Sequence, residues 1–293
     1  MKHCVKAGLF GLFACILPLG AMEITTSAQT STFAFDDSGN LDAKDYGYGA
    51  AFSVTEQLQE QMEGKISYES DPVNGNTLSA RASFRTSFLE ISAGPSFGVR
   101  NSGGNSEDIP VLFQPGVGIG FSITVPGMLV ARADTEFALP PASLSGGQVY
   151  LQKSALTAGF YLPNVLCSAG IHQRMNTRAS LTESRIKSIT DYGFYTESFR
   201  KGSPFRVSVN FVYRLSDYFI EADSADNKKI ANLLLGGGLT WAPVADFSLF
   251  MDGNGSLYSF SLADPVDGLD GFFFDLRLGA TIRTGKKATV KPE

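Results

Sequence analysis

The chain is short of the residues that most soluble chemistry requires. Its 293 residues hold three cysteines, two histidines and one tryptophan. Cys4, Cys15 and His3 all fall in the first fifteen residues, so beyond that stretch one thiol, Cys167, and one imidazole, His172, are left. One of each excludes an intrachain disulfide framework, a cysteine metal cluster and a His-pair metal site. No GxxxxGK[ST] loop occurs, so Leu144-Ser145-Gly146-Gly147-Gln148, which spells the ABC-ATPase signature, lacks the P-loop it would have to sit beside. Basic residues are too few for a nucleic-acid binder: 24 stand against 29 acids, a net charge of −5. No cofactor is expected.

Long apolar runs are also missing. Only residues 7–17 come close, and they are too short to span a bilayer as a helix, which takes about 20 residues. Preceded by Lys2 and Lys6 and followed by Pro18 and Gly20-Ala21, they read as a signal peptide over residues 1–21. Lipoprotein processing at Cys15 is the competing reading, although cleavage there would divide the apolar run. Residues 22–293 then form one domain of net charge −7, because the leader carries two lysines and no acid.

What the chain has is alternation. In residues 272–283, Phe272, Phe274, Leu276, Leu278, Ala280 and Ile282 fall on one face and Asp275, Arg277, Thr281 and Arg283 on the other. Successive strand residues point to opposite sides, so one face suits lipid or a core and the other suits water. The same pattern is clear in segments 78–88, 89–100, 111–125, 128–138, 165–175, 205–215, 231–241 and 247–257. It is weaker in 24–35, 46–54, 61–69, 149–162 and 218–222. Short connections are expected at 56–59, 86–88, 125–128, 162–165, 215–217 and 242–246, and long polar ones at 36–45, 70–76, 101–110, 140–147, 176–204, 223–229 and 262–271. Strict alternation of short and long predicts an all-β, closed antiparallel transmembrane β-barrel. It has about 14 strands (12–16), short periplasmic turns and long external loops. The segment 176–204 is expected to extend its flanking strands or to carry a small external hairpin.

A soluble sandwich alternates too. The charges decide against it, since they keep to one register where an Arg on a lipid face would cost roughly 2–4 kcal/mol at midplane. The aromatics Phe88, Phe121, Tyr161, Trp241, Phe247 and Phe272 sit near expected strand ends, where interfacial girdles form. Candidate lumen and selectivity residues are Arg81, Arg85, Arg100, Arg132, Asp134, Glu136, Arg174, Arg206, Asp275 and Arg277. Gly116, Gly118 and Gly120 lie inside an expected strand, where small inward residues leave room or allow curvature. His172 reads as a solvated lumen residue. Catalytic and metal-binding residues are not expected.

With leader, alternation and connections together, the chain resembles the small monomeric porins of Gram-negative outer membranes, and its style is similar to spirochaetal barrels. Its strand number is also similar to the fatty-acid transporter family, but alternation begins too soon after residue 21 to leave an N-terminal hatch. Outer-membrane barrels usually end on an aromatic residue, whereas this chain continues through residues 286–293. The resemblance implies an outer-membrane channel for passive diffusion of small hydrophilic solutes or ions, with external loops exposed at the cell surface. Its partners would be membrane lipid and the outer-membrane assembly machinery, and it would not be an enzyme. The alternatives are a transporter barrel for a hydrophobic or specific ligand and a non-transporting surface barrel used for adhesion.

Overall fold

A computed structural model describes residues 21–32, 46–71, 75–99, 113–138, 148–179, 184–199, 202–220, 227–262, 269 and 271–285. The leader residues 1–20 and Arg100 lie outside the described residues. Fourteen strands follow in chain order: β1 (Met22–Ser31), β2 (Gly47–Gln59), β3 (Met62–Asp71), β4 (Gly75–Arg85), β5 (Leu89–Val99), β6 (Phe113–Val125), β7 (Leu129–Ala138), β8 (Gln148–Leu162), β9 (Val165–Ala179), β10 (Ser184–Phe199), β11 (Phe205–Ile220), β12 (Lys228–Val244), β13 (Phe247–Ser261) and β14 (Phe274–Thr284). Each pairs antiparallel with its sequence neighbours, and β1 pairs with β14 from Met22↔Thr284 to Ser31↔Asp275, closing the barrel. Closure leaves no strand edge, which hydrocarbon would not tolerate.

Directly opposed residues share a face, so the pairing carries one inward parity around the ring. Outward positions include Ile66, Phe84, Ile91, Ile119, Phe160, Ile171, Val209, Leu239 and Leu278, all large, apolar and exposed. Inward positions include Ser27, Ser79, Ser96, Gln114, Asp191, Arg214, Asn232 and Thr281, all polar and buried. That is a soluble protein turned inside out.

Aromatics mark the two ends of the apolar belt. Phe84, Phe88, Phe160, Phe205 and Trp241 are exposed near the tight turns. Tyr48, Tyr68, Tyr192 and Tyr258 are exposed toward the other end, and Tyr192 lies 6.4 Å from outward Tyr213. Above this tyrosine ring the outer wall turns polar. Gln173 faces Thr190, Ser188 donates to Asp217 at 3.4 Å, and Lys229 pairs with Asp217 at 3.4 Å. Strands β8 to β13 run 15 to 17 residues. Spanning a bilayer takes about 9–11 tilted residues, so this wall stands above the belt.

The strand total matches the sequence expectation through two errors that cancel. Residues 215–217 are no turn, and 218–220 of the expected strand 218–222 continue it; both belong to β11, while 221–222 lie outside the described residues. Residues 176–204 hold the end of β9, extended through Ala179 as one of the two expectations had it, and the full strand β10, which neither foresaw; 180–183 and 200–201 lie outside the described residues. β10 escaped notice because its outward face mixes Ser188, Thr190, Thr196 and Ser198 with Tyr192 and Phe194, while Ile189 and Tyr195 point inward. The connection at 70–76 is also short: β3 ends at Asp71 and β4 begins at Gly75. Both termini of the barrel fall at the tight-turn end, as the alternation requires.

The cross-section is not round. Cα atoms of β5 and β7 approach within 8 Å across β6, a sharp corner. Its inner side is Gly116, Gly118 and Gly120: a Cβ at Gly116 would strike the Phe137 carbonyl, and one at Gly118 the Arg81 guanidinium. The β4–β5 ladder also skips Ala80 and Arg81 opposite Gly94 and Pro95, where proline cannot donate.

The facing assignment predicts that Leu278→Arg, outward and near the middle of β14, destabilises the folded barrel by roughly 2–4 kcal/mol. Arg277→Gln, one residue away and inward, should cost about 1 kcal/mol or less. Urea unfolding in lipid vesicles measures both, and equal costs would invert the facing.

Candidate functional site

The lumen is built from the inward residues, and its two halves differ. In the half toward the long connections, charges bridge the barrel from wall to wall. Arg174 on β9 reaches Asp71 on β3 at 3.2 Å and lies 3.9 Å from Asp191 on β10. Arg214 on β11 donates to both oxygens of Asp191, Nε to Oδ1 at 2.6 Å and Nη2 to Oδ2 at 2.8 Å, and through Nη1 to Asp275 on β14 at 3.0 Å. Asn254 on β13 donates to the other Asp275 oxygen at 2.9 Å. Lys153 on β8 pairs with Glu69 on β3 at 3.0 Å and reaches Thr77 on β4.

β3 and β9 are six strands apart by one path and eight by the other. In a round fourteen-strand barrel, spacing and tilt would hold their backbones ~25 Å or more apart. Arg and Asp side chains together span only about 10–11 Å. The wall is therefore pinched here, folding β3 and β4 toward β8 and β9 around the β6 corner.

Beside the ionic chain sits an apolar cluster of inward Val212, Tyr218, Ile230 and Leu234 with Phe273, and Tyr195 and Leu269 pack against it. Phe273, Ile230 and Leu234 are fully buried. The cluster is thus packed solid, a seal rather than a ligand cavity. The His172 ring lies tilted against Tyr195 with centroids 5.7 Å apart, and its buried Nε2 has no hydrogen-bond partner among the described residues. The expectation of a solvated His172 is corrected by that packing.

The half toward the tight turns is open. A cavity of about 550 Å³ there is lined by Arg85, Glu90, Ser92, Ser122, Thr124, Arg132 and Asp134, among others. Arg85 holds Glu90 at 2.8 Å and Glu63 at 3.5 Å. Arg81 crosses the β6 corner over Gly118 to Asp134 at 2.5 Å and Glu136 at 3.0 Å, and Ser96 donates to Glu136 at 2.8 Å.

The sequence candidates thus separate into groups. Arg81, Asp134 and Glu136 form one cluster, with Arg85 near it; Arg174 and Asp275 join the wall-to-wall chain. Arg206 stands apart near the turns, largely exposed and 3.7 Å from Glu197. Arg277 hydrogen-bonds Ser27 and lies 5.2 Å over the inward Phe250 ring. Arg132 lines the cavity. Sequence reasoning missed Asp71 and Asp191, which it placed in loops, and the central role of Arg214, although that residue shares the polar register. Gly94-Pro95-Ser96-Phe97-Gly98 also has GxSxG spacing, but it lies inside β5, where buried Ser96 donates to Glu136. It is not the strand-to-helix elbow that spacing serves in hydrolases. Among the described residues no group of His, Cys, Asp and Glu could hold a metal ion.

No protein-family model and no curated protein matches the chain. Solved structures do. A Pseudomonas aeruginosa FadL homologue aligns at TM-score 0.52 and 10% identity, over 90% of this chain and 90% of its own. A bacterial polysaccharide outer membrane secretin aligns at 0.50 and 10% identity, over 92% of this chain and 100% of its own. The CymD monoaromatic hydrocarbon channel aligns at 0.50 and 7% identity, over 92% and 90%. At such identities the likeness establishes the fold, a closed outer-membrane-type barrel.

Arg214 is 3% exposed, and its removal would take from Asp275 the cation at 3.0 Å and leave Asp191 with Arg174 at 3.9 Å. Arg214→Gln should cost about 3–5 kcal/mol. Arg206→Gln, at an exposed pair, should cost under about 1 kcal/mol. Equilibrium unfolding of both variants tests this, and similar values would refute the ranking.

Proposed function

We propose that the chain is a bacterial outer-membrane channel for small hydrophilic solutes or ions, constricted in its outer half. The tight turns lie in the periplasm and the long connections face the exterior, the usual orientation of such barrels. The outward apolar belt between aromatic rings supports contact with membrane lipid. Insertion through the outer-membrane assembly machinery follows from that location, with the leader serving export.

The observation that carries the reading is the inward polar register, open at one end as a vestibule and crossed at the other by the Asp71–Arg174–Asp191–Arg214–Asp275 chain. Diffusion needs no chemistry, only a wet path whose fixed charges bias what enters. A path narrowed by ion pairs passes ions and the smallest solutes. The hydrophobic-ligand alternative would need an apolar cavity, and among the described residues the apolar cluster beside the ionic chain is packed against itself.

In planar bilayers the purified protein should show small, discrete conductance steps. Removing one bridge with Arg174→Gln should widen the constriction and raise conductance severalfold, because β9 then loses its hold on β3. A barrel that shifts on gels before and after boiling, yet passes no current in either form, would overturn the channel reading.

A further inference from the structure

Arg132 is the unusual charge of the vestibule. It points inward from β7 in a row set by strand pairing, Arg85↔Glu90, Glu90↔Ser122, Ser122↔Arg132 and Arg132↔Thr157. Two carboxylates stand near it, Asp134 two residues along the same strand face and Glu90 in the same row. Both line the same cavity, and both are already held by other arginines. Asp134 is held by the Arg81 fork across the β6 corner, and Glu90 accepts from Nε and Nη2 of Arg85 on the opposite side. Arg132 makes no ion pair and no side-chain hydrogen bond among the described residues, and it is exposed to the 550 Å³ cavity.

The charges can be followed one by one. The lining charges balance, Arg85 and Arg132 against Glu90 and Asp134, and three of the four are held in ion pairs, Arg85 with Glu90 and Asp134 with Arg81. The one lining charge without an ion pair among the described residues is the Arg132 guanidinium, and the hydroxyl-bearing residues Ser92, Ser122 and Thr124 line the same cavity. A planar fork of N–H donors matches a carboxylate in bidentate geometry. One unpaired guanidinium offers one such fork, which suits one carboxylate. A phosphate dianion would bring a second charge beside Glu90 and Asp134. A cavity of this volume takes a solute of metabolite size.

We propose that the vestibule is a binding site for small monocarboxylates, with Arg132 as the residue that holds the carboxylate. The proposal deepens the channel reading by naming a solute class, and it rests on that reading only for how the solute arrives. Ser122 and Thr124, on the neighbouring strand, are placed to donate to the same oxygens.

Saturation-transfer NMR on the full chain refolded in detergent micelles tests it with butyrate, the neutral butyramide and inorganic phosphate. Butyrate should bind saturably and butyramide should not, and phosphate should bind at least tenfold more weakly than butyrate. Arg132→Gln should weaken butyrate at least tenfold, while Arg206→Gln, which alters an exposed lumen arginine outside the cavity, should leave it unchanged. No saturable butyrate signal, equal binding by Arg132→Gln, equal binding of butyramide, or phosphate binding as tight as butyrate would each overturn the proposal. Because binding is read in micelles, its failure leaves the conductance result standing. A barrel that binds butyrate but carries no current would instead sink the channel reading alone.

Discussion

Everything in this barrel depends on one constraint: in hydrocarbon, every backbone N–H and C=O must find a partner within the protein. A sheet meets it only by closing, and the β1–β14 ladder is the closure. Once the ring is sealed, parity is no longer a local choice. A slip of one residue in any ladder would carry that strand's arginines to the lipid and its leucines to the lumen. The two ladder irregularities on β12–β13, at Leu233/Leu234 and Trp241/Val244, show how the constraint is kept. At the first, Leu257 is the extra residue, and beyond it Tyr258 again faces outward with Leu233 and Ser259 inward with Asn232.

Closure puts the charges inside, and a closed interior then has to deal with them. Isolated buried charges are costly, and paired ones are tolerated when geometry and hydrogen bonds are good. A round fourteen-strand barrel would keep opposite walls too far apart for pairing. The glycines of β6 remove that obstacle. Without side chains on the inner face of one strand, β5 and β7 close to a corner, and β3 comes within reach of β8 and β9. The order of cause therefore runs from three small residues to a bend, from the bend to a pinched lumen, and from there to the ion pairs that hold it pinched.

How much of this was legible in the sequence depends on which property is asked about. Parity was legible wherever a strand crosses lipid on one side and water on the other: residues 272–283 and 128–138 give the facing of Arg132, Asp134, Asp275 and Arg277 correctly. It was illegible in β10, whose upper outward residues stand above the belt in water and whose inward residues Ile189 and Tyr195 face other protein atoms. There the two environments that create the alternation are exchanged. The same cause hid the upper part of β11, where Ser216 and Asp217 imitate a turn. Partnership was not legible at all. Asp71 and Arg174 are 103 residues apart, and only the flattening of the barrel brings them together. The glycines that produce it were read as room or curvature, without a direction for the bend.

The height of the ionic chain follows from the same alternation. Neighbouring residues on a strand face opposite sides at nearly one level, so the inward chain can be placed by its outward neighbours. Asp191 is followed by Tyr192, Arg214 is preceded by Tyr213, and Arg174 by Gln173. These outward residues are the tyrosine ring and the first polar row above it. The bridging charges thus lie at the level of the membrane interface, where a charge costs far less than at the midplane. The apolar seal of Leu234, Val212 and Phe273 occupies the same storey on the β11–β12 side. Among the described residues, constriction and cluster together narrow the upper storey, while the lower storey, ringed outside by Phe84, Phe88 and Phe160, keeps its cavity. The described side chains thus crowd one storey and line a cavity in the other. Every side chain named in the crowded half, apart from Phe273 and Leu269, is carried by a strand.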